Sequence, residues 1–502
     1  MCDQQRTTDP FLVPWECRLD RRREWSVRPM PSRPYGVWPD GASFPLEENA
    51  RTVPLFASER LCAAHSVPRD ERGKSMSKEP AVVGAHKCLS GYTVVDLTQY
   101  LSGPFCTMIL GALGADVIKV EPVGVGDGNR HQPPFATSEG LAPTQTSADD
   151  VGLAFLKRNP GKRSIGIDLK DERGRRIFRD LVGRADAVVH NFRPGVAQRL
   201  GADRESLMRV NADLVYCKVE GLGHYASDGD ERGVVDIVGQ ALSGIMAVTG
   251  QEGGPPTRVA VPIADQVAGL FAAIAVLGAL LHRDGGRGAG SVSEVSVSML
   301  SALSTLVWDE HLDVYHRNGL PPRAGNGTPR IVPFNTYLTA DGRWIAISGV
   351  SVQEWRRLRE LVPAFRDRNE WDELAVRVGE REEVDRLLSD WVRGRTSERL
   401  MAEMTAAGVT AAPVYGPEDI LQDERFKDMV LYEVQHPLYG GTGAYGARFP
   451  IIVNGEQAGP YDRAAPLLNE GARDLLAEYS ALSDAEIERL EQDGVIGGAP
   501  PA

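Results

Sequence analysis

The chain holds 502 residues, long enough for two or three domains, and its 42% hydrophobic and 25% charged residues are those of an ordinary globular protein. A net charge of −13 leaves no basic excess to neutralise phosphates and so argues against a nucleic-acid partner, although a small anion needs only a few local donors. None of the six cysteines forms C-x-x-C or sits at zinc spacing from histidine, which points to a reduced, cytoplasmic chain with no metal site.

Residues 1–89 are dense in Pro and Arg, hold four of the six cysteines and three of the eight tryptophans, and show no sustained periodicity. They read as a poorly ordered N-terminal extension. Up to residue 75 twelve Lys and Arg face eleven Asp and Glu, so the negative charge lies downstream. Met76 opens Met-Ser-Lys-Glu-Pro, and the native start is expected there. No apolar run follows a basic start, so no secretory signal is expected.

From residue 92 the pattern becomes regular. Apolar runs at 93–98, 116–121, 164–169, 187–192 and 214–219 read as strands, and amphipathic stretches such as 103–113 and 171–182 as helices between them. Strands alternating with helices predict a parallel, doubly wound sheet. The apolar run 267–281 is shorter than a bilayer span and follows Asp265; it reads as a buried helix, with no membrane partner. Gly and Pro between 319 and 333 mark a linker or site loop, 344–348 a strand, and 351–407 the helices of a smaller α+β domain. The tail at 480–490 is an amphipathic helix capped by Ser483. The expected division is 90–310 as the large domain, 311–445 as linker and small domain, and 446–502 as a segment returning to the large domain.

Several clusters carry candidate chemistry. Gly124-Val-Gly-Asp-Gly128 follows a strand but opens no clear helix, so it reads as a loop rather than a nucleotide fingerprint. Asp309, Glu310, His311, Asp313 and His316 fan around a helix and read as a solvated face. His190 to Gly195 ends a strand of the parallel sheet, where ligands bind in such folds; Asn191 and Arg199 are then ligand donors, or the segment is a plain strand–helix junction. The basic loop from Lys157 to Arg163 reads as solvated surface or an anion site. Asp236, the only acid between Arg232 and Gly250, reads two ways: as a helix cap, or as a nucleophile among residues that compete little for its lone pairs.

The order of motifs resembles the class III CoA-transferases of the CaiB/BaiF type. The likeness runs through Asp96-Leu-Thr-Gln-Tyr-Leu-Ser-Gly-Pro-Phe-Cys-Thr107, Leu113 to Pro122, Gly161 to Lys170, Asn191-Phe-Arg-Pro-Gly195, Pro262-Ile-Ala-Asp265, Arg323-Ala-Gly-Asn326 and Leu482 to Leu490. The resemblance implies a Rossmann-like large domain, a small α+β domain and an interlocked homodimer. It implies no permanently bound cofactor, with a coenzyme A thioester and a carboxylic acid as substrates. Asp236 takes the nucleophile's place, attacking the thioester to give an acyl–aspartyl anhydride and then an aspartyl–CoA thioester. By the same likeness Asn191, Phe192, Arg193 and Arg199 hold CoA, with Asn159, Lys162 and Arg163 nearby and Ser102 in the first loop. Gly325, Asn326 and Gly327 match a mobile glycine segment over the reacting carbonyl.

Departures narrow the reading. Leu101 stands where oxalate-specific members carry Gln, and Gly327-Thr-Pro329 replaces four glycines, so oxalate is not the expected acceptor. Glu220-Gly-Leu-Gly223 replaces Ser-Gly-Phe-Gly, and Pro160-Gly161 is an insertion before Lys162. The related α-methylacyl-CoA racemases use a His/Asp pair; the His position is Val235 here, while Asp265 matches their second acid or caps a helix starting near Gln266. A non-catalytic CoA-ester binding protein is the remaining alternative.

Overall fold

The computed structural model describes residues 87–227, 232–286, 292–321, 323–459 and 463–498. The expected extension and the start near Met76 lie outside them.

Six strands form the central sheet: β1 (Thr93–Asp96), β2 (Asp116–Glu121), β3 (Arg163–Gly166), β4 (Ala187–His190), β5 (Val215–Glu220) and β6 (Glu294–Ser298). Their spatial order is β3-β2-β1-β4-β5-β6, and every pairing is parallel. The chain steps outward from β1 through β2 to β3, then returns to the other side of β1 for β4. That reversal opens a crevice at the carboxyl ends of β1 and β4, the usual ligand site of doubly wound sheets.

Side-chain alternation divides the core in two. Val94, Val117, Ala187, Val189, Val215 and Cys217 face α1 (Ser102–Ala112), α4 (Ile263–Asp284) and α5 (Met299–Trp308). Val95, Ile118, Ile165, Val188 and Tyr216 face α2 (Glu172–Val182) and the C-terminal helices Ala472–Tyr479 and Asp484–Gln492. α4 is long and apolar enough to cross a membrane by composition, yet its Ala264, Ala268, Ala272 and Val276 are buried against the sheet and α1. Gly269 permits this approach: a Cβ there would lie 2.5 Å from the Ser102 carbonyl oxygen. Gly166 has the same office on the other face, because its Cβ would fall 2.1 Å from the Gly497 carbonyl oxygen where Ile167 bridges Ile496. That bridge also ends β3 earlier than the apolar pattern predicts.

β7 (Phe334–Leu338), β8 (Trp344–Ser348) and β9 (Thr410–Pro413) make an antiparallel sheet. Helices within 352–407 cover it around Trp355, Phe365 and Trp371, whose rings meet at 5.4–6.3 Å. The hairpin of β10 (Leu431–His436) and β11 (Gly440–Ala447) packs on Ala136, Phe155 and Leu156, outside this unit. Ser483 closes a capping box with Glu486, as the sequence pattern predicts.

Candidate active site

A cavity of about 1010 Å³ occupies the crevice. Its walls come from the loops after β1, β4 and β5, the segment 232–235, and Asp265 on α4.

The loop after β1 is held by buried polar groups. Thr98 donates its backbone N–H to Asp96 at 2.8 Å, and Lys119 donates from Nζ to the Thr98 carbonyl at 2.7 Å. Lys119 also pairs with Asp127 at 3.0 Å, and Asp127 accepts the Tyr100 N–H at 3.1 Å. Asn129 donates to the Tyr100 carbonyl, fixing Tyr100 at a left-handed φ of 66° on the cavity edge. Each backbone group is thus satisfied without a ligand, which leaves the loop pre-shaped for one.

The sequence-derived CoA residues divide by placement. Phe192 and Arg193 line the cavity, and the Arg193 guanidinium finds no hydrogen-bond acceptor among the described residues. Ser102 lines it too, at the start of α1. Asn191 lines it, but its amide is engaged across the crevice: Oδ1 accepts the Gln99 N–H at 2.9 Å and Nδ2 donates to the Gln99 carbonyl at 2.7 Å. It clamps the β1 and β4 loops together. Asn159, Lys162 and Arg163 are not among the residues that line this cavity. Lys162 is buried, donating to Asp96 at 2.8 Å, Thr107 at 2.7 Å and Asn159 at 2.8 Å. Burial lowers its pKa to about 8, opposed by Asp96. Arg163 pairs with Asp116 and, at 2.7 Å, with Glu478. Arg199 is exposed beyond the cavity wall on the short helix Val196–Leu200.

His190, at the end of β4, is buried and bonded rather than available. Its Nδ1 accepts the Phe192 N–H at 3.3 Å and its Nε2 meets the Tyr216 hydroxyl at 2.7 Å. Burial, aided by Lys218, pushes its pKa down to about 4. The neutral ring holds the Phe192 turn.

Asp236 opens α3 (Asp236–Ser243) but does not cap it; Val235 is the N-cap and offers no side-chain bond. The Asp236 carboxylate reaches instead to the next long helix. Oδ1 accepts the Ala264 N–H in the first turn of α4 at 2.9 Å, and Oδ2 accepts from Gln240 at 2.7 Å and Arg258 at 3.4 Å. Its side chain is 12% exposed and is not part of the cavity wall. Asp265 is. It sits in the first turn of α4, which starts at Ile263 with Pro262 as N-cap, so Asp265 is not the cap of a helix near Gln266. Burial raises its pKa and the Asp236 charge raises it further, to about 6, while Arg158 and hydrogen bonds with Ser102 pull the other way. The two carboxylates, close enough for one charge to raise the other's pKa, thus stand in unlike environments, Asp236 engaged behind the cavity wall and Asp265 facing the cavity.

The glycine segment is anchored on the chain that follows α3. Gly325 donates its N–H to Gly250 at 3.0 Å, Asn326 bonds Thr336 at 2.8 Å, and Gly327 closes a turn on Ala324 at 3.0 Å. Within one chain it does not reach the cavity wall. Of the metal-like cluster, Asp313 pairs with Arg317 and Glu310 with Arg330, and among the described residues no group of three acids, histidines or cysteines is arranged to hold a metal.

Residues 89–472 match the sequence model of CoA-transferase family III. The chain belongs to this family. The succinyl-CoA:mesaconate CoA-transferase of Haloarcula marismortui is 33% identical over 411 residues, covering 81% of this chain and 99% of that protein. The succinate–glutarate CoA-transferase of Agrobacterium fabrum is 32% identical, covering 78% and 96%. A CAIB/BAIF family protein from Brucella suis superposes with a TM-score of 0.65 at 30% identity, covering 79% of this chain and all of that one. The protein is therefore a CoA-transferase, acting on CoA thioesters. In this transferase Asp265 lies four residues before Gly269, so both stand on the face of α4 that meets Ser102.

Proposed function

We propose that this transferase moves CoA from an acyl-CoA donor, with succinyl-CoA the first to test, to a free carboxylic acid, and that Asp265 rather than Asp236 is the nucleophile. The observation that carries the reading is the pair of carboxylates, of which Asp265 alone faces the cavity. An Asp265 oxygen attacks the thioester carbonyl and CoA leaves as thiolate, giving an acyl–aspartyl anhydride. The thiolate attacks the aspartyl carbonyl, releasing the donor acid and leaving an aspartyl–CoA thioester. The acceptor carboxylate attacks that thioester to form a second anhydride; the thiolate then takes the acceptor acyl group and frees Asp265. The overall exchange trades one thioester for another of similar energy through higher-energy anhydrides, so the protein's work is to exclude water from them and stabilise oxyanions.

A carboxyl raised to about 6 suits this role: it is more basic than an ordinary aspartate yet ionised at neutral pH. Arg193 and Lys170, at the rim, are suited to CoA phosphates. The racemase reading needs a basic partner, and among the described residues no histidine lines the cavity. Homodimerisation is part of the proposal. Leu270, Ile274 and Leu281 of α4, with Leu306 and Trp308 of α5, are exposed in a single chain, and a second copy would cover them.

Mass spectrometry of a panel of acyl-CoA donors and carboxylic acid acceptors tests the function. New acyl-CoA species are expected; release of free CoA alone, or exchange at the α-carbon, would sink it. Asp236→Asn keeps the oxygen that accepts the Ala264 N–H but removes the charge that raises Asp265. The rate falls as pH drops through the Asp265 pKa, because the protonated acid cannot attack. The acid limb, near pH 6 in the parent, is therefore expected to move to lower pH in Asp236→Asn. A limb that stays in place removes Asp236 from this role.

A further inference from the structure

Arg258 belongs to neither the core nor any motif used so far. It lies on the segment between α3 and α4, 41% exposed, with Nη1 at 3.4 Å from the Asp236 carboxylate and Nη2 donating to the Ala260 carbonyl at 3.0 Å. These two bonds use two of the five N–H groups of a guanidinium, and the bond to Asp236 is long.

What fixes Arg258 is a buried glutamine. Gln240, fully enclosed on α3, accepts the Val259 N–H at 3.0 Å and donates to the carbonyls of Val259 at 3.2 Å and Val261 at 3.3 Å, as well as to Asp236. Backbone on the C-terminal side of Arg258 is therefore pinned from inside, and the guanidinium is presented beside the Asp236 carboxylate, behind the cavity wall that Asp265 lines. Buried amides spent on fixing one short segment are a mark of a preorganised site.

The charge balance says what such a cation would meet. An acceptor acid approaches two aspartates, Asp236 and Asp265, and is repelled by both. The reacting carboxylate loses its charge once it becomes a thioester, so a permanent cation beside it is wasted after the first step. A second, non-reacting carboxylate keeps its charge throughout, and a guanidinium with open N–H groups is suited to hold it in every state.

We propose that Arg258 is the specificity-determining residue of the acid site, binding the distal carboxylate of a dicarboxylic acid. The proposal rests on the CoA-transfer reading above. Because the distal contact is equal in ground and transition states, its loss raises KM and leaves kcat nearly unchanged.

The test compares glutarate with pentanoate, acids of equal chain length, as acceptors in the full-length enzyme. The parent is expected to prefer glutarate. Arg258→Gln is expected to raise KM for glutarate on the order of 10- to 100-fold, with pentanoate unchanged. Arg258→Lys, which keeps the charge without the fork, should recover part of that loss. Direct binding of each acid, followed by NMR titration of Asp265→Asn protein, gives the same comparison without turnover. Equal use of both acids by the parent, or an equal loss for both in Arg258→Gln, overturns the proposal while leaving CoA transfer intact. If no acid accepts CoA, the underlying reading fails instead; the titration then decides Arg258 alone, a preference for glutarate lost in Arg258→Gln upholding it and no preference refuting it.

Discussion

Asp265→Ala is expected to reduce CoA transfer by on the order of 10⁴-fold or more, the scale on which removal of a nucleophile acts. Asp236→Ala is expected to cost far less, on the order of 10- to 100-fold, by releasing the first turn of α4 and Arg258 from a shared anchor. The two carboxylates separate because their lone pairs are used differently. Asp236 accepts from Ala264, Gln240 and Arg258, and an oxygen that attacks a carbonyl must give up such bonds. Asp265 faces the cavity with Ser102 as its hydrogen-bonding neighbour and burial raising its basicity. Hydroxylamine added during turnover should leave a mass tag on Asp265, and peptide mapping reads it. A tag on Asp236, or full transfer by Asp265→Ala, assigns the chemistry to the other acid. The substitution should also expose the cost of the site. A carboxyl moved from 3.8 to about 6 by burial and a like charge carries a penalty of up to about 3 kcal/mol when ionised. Since the folded pKa is the higher one, that penalty is absent well below pH 4 and fully present above pH 6, so Asp265→Asn should be more stable than the parent at neutral pH.

The sheet was legible because its strands are short, apolar and separated by helical periodicity; β2 and β8 fall at the bounds the pattern predicts. The strand ending at His190 reads too long, since residues 191–195 turn around the Asn191 clamp, a contact with a residue 92 positions away. The site was harder to read for the same reason. Lys162 looks like an exposed phosphate ligand in a basic loop, yet its charge is consumed by Asp96, which is 66 residues distant. Asp236 looks like the cap of its own helix and instead holds α4, 28 residues on. Local pattern reports which residue types are present; whether an acid faces a cavity or another backbone is fixed by packing across the sheet, where Gly269 lets α4 close on Ser102.

The same long-range pairing makes Asp96 the residue whose loss should cost the fold most. It is fully buried, accepts the Thr98 N–H at 2.8 Å and the Thr107 hydroxyl at 2.7 Å, pairs with Lys162 at 2.8 Å, and has Lys119 at 3.9 Å. Burial alone would push its carboxyl up; Lys119 and then Lys162 outweigh burial and hold it well below the usual carboxylate range. Asp96→Ala leaves two buried ammonium groups with Asp127 as their one close counter-charge among the described residues, and is expected to destabilise the protein by about 3–5 kcal/mol in urea unfolding. Pairing it with Lys162→Met removes one stranded charge, so the double variant should lose less than the sum of the singles. A lowered folded pKa places this contribution above the unfolded value of 3.8 and removes it as pH falls through the folded one, so in the parent it should fade only below about pH 4. The same substitution frees Thr98 from the loop that shapes the cavity, and CoA binding should weaken alongside stability. A single variant within about 1 kcal/mol of the parent would mean that the network is dispensable and that the loop is shaped by packing alone.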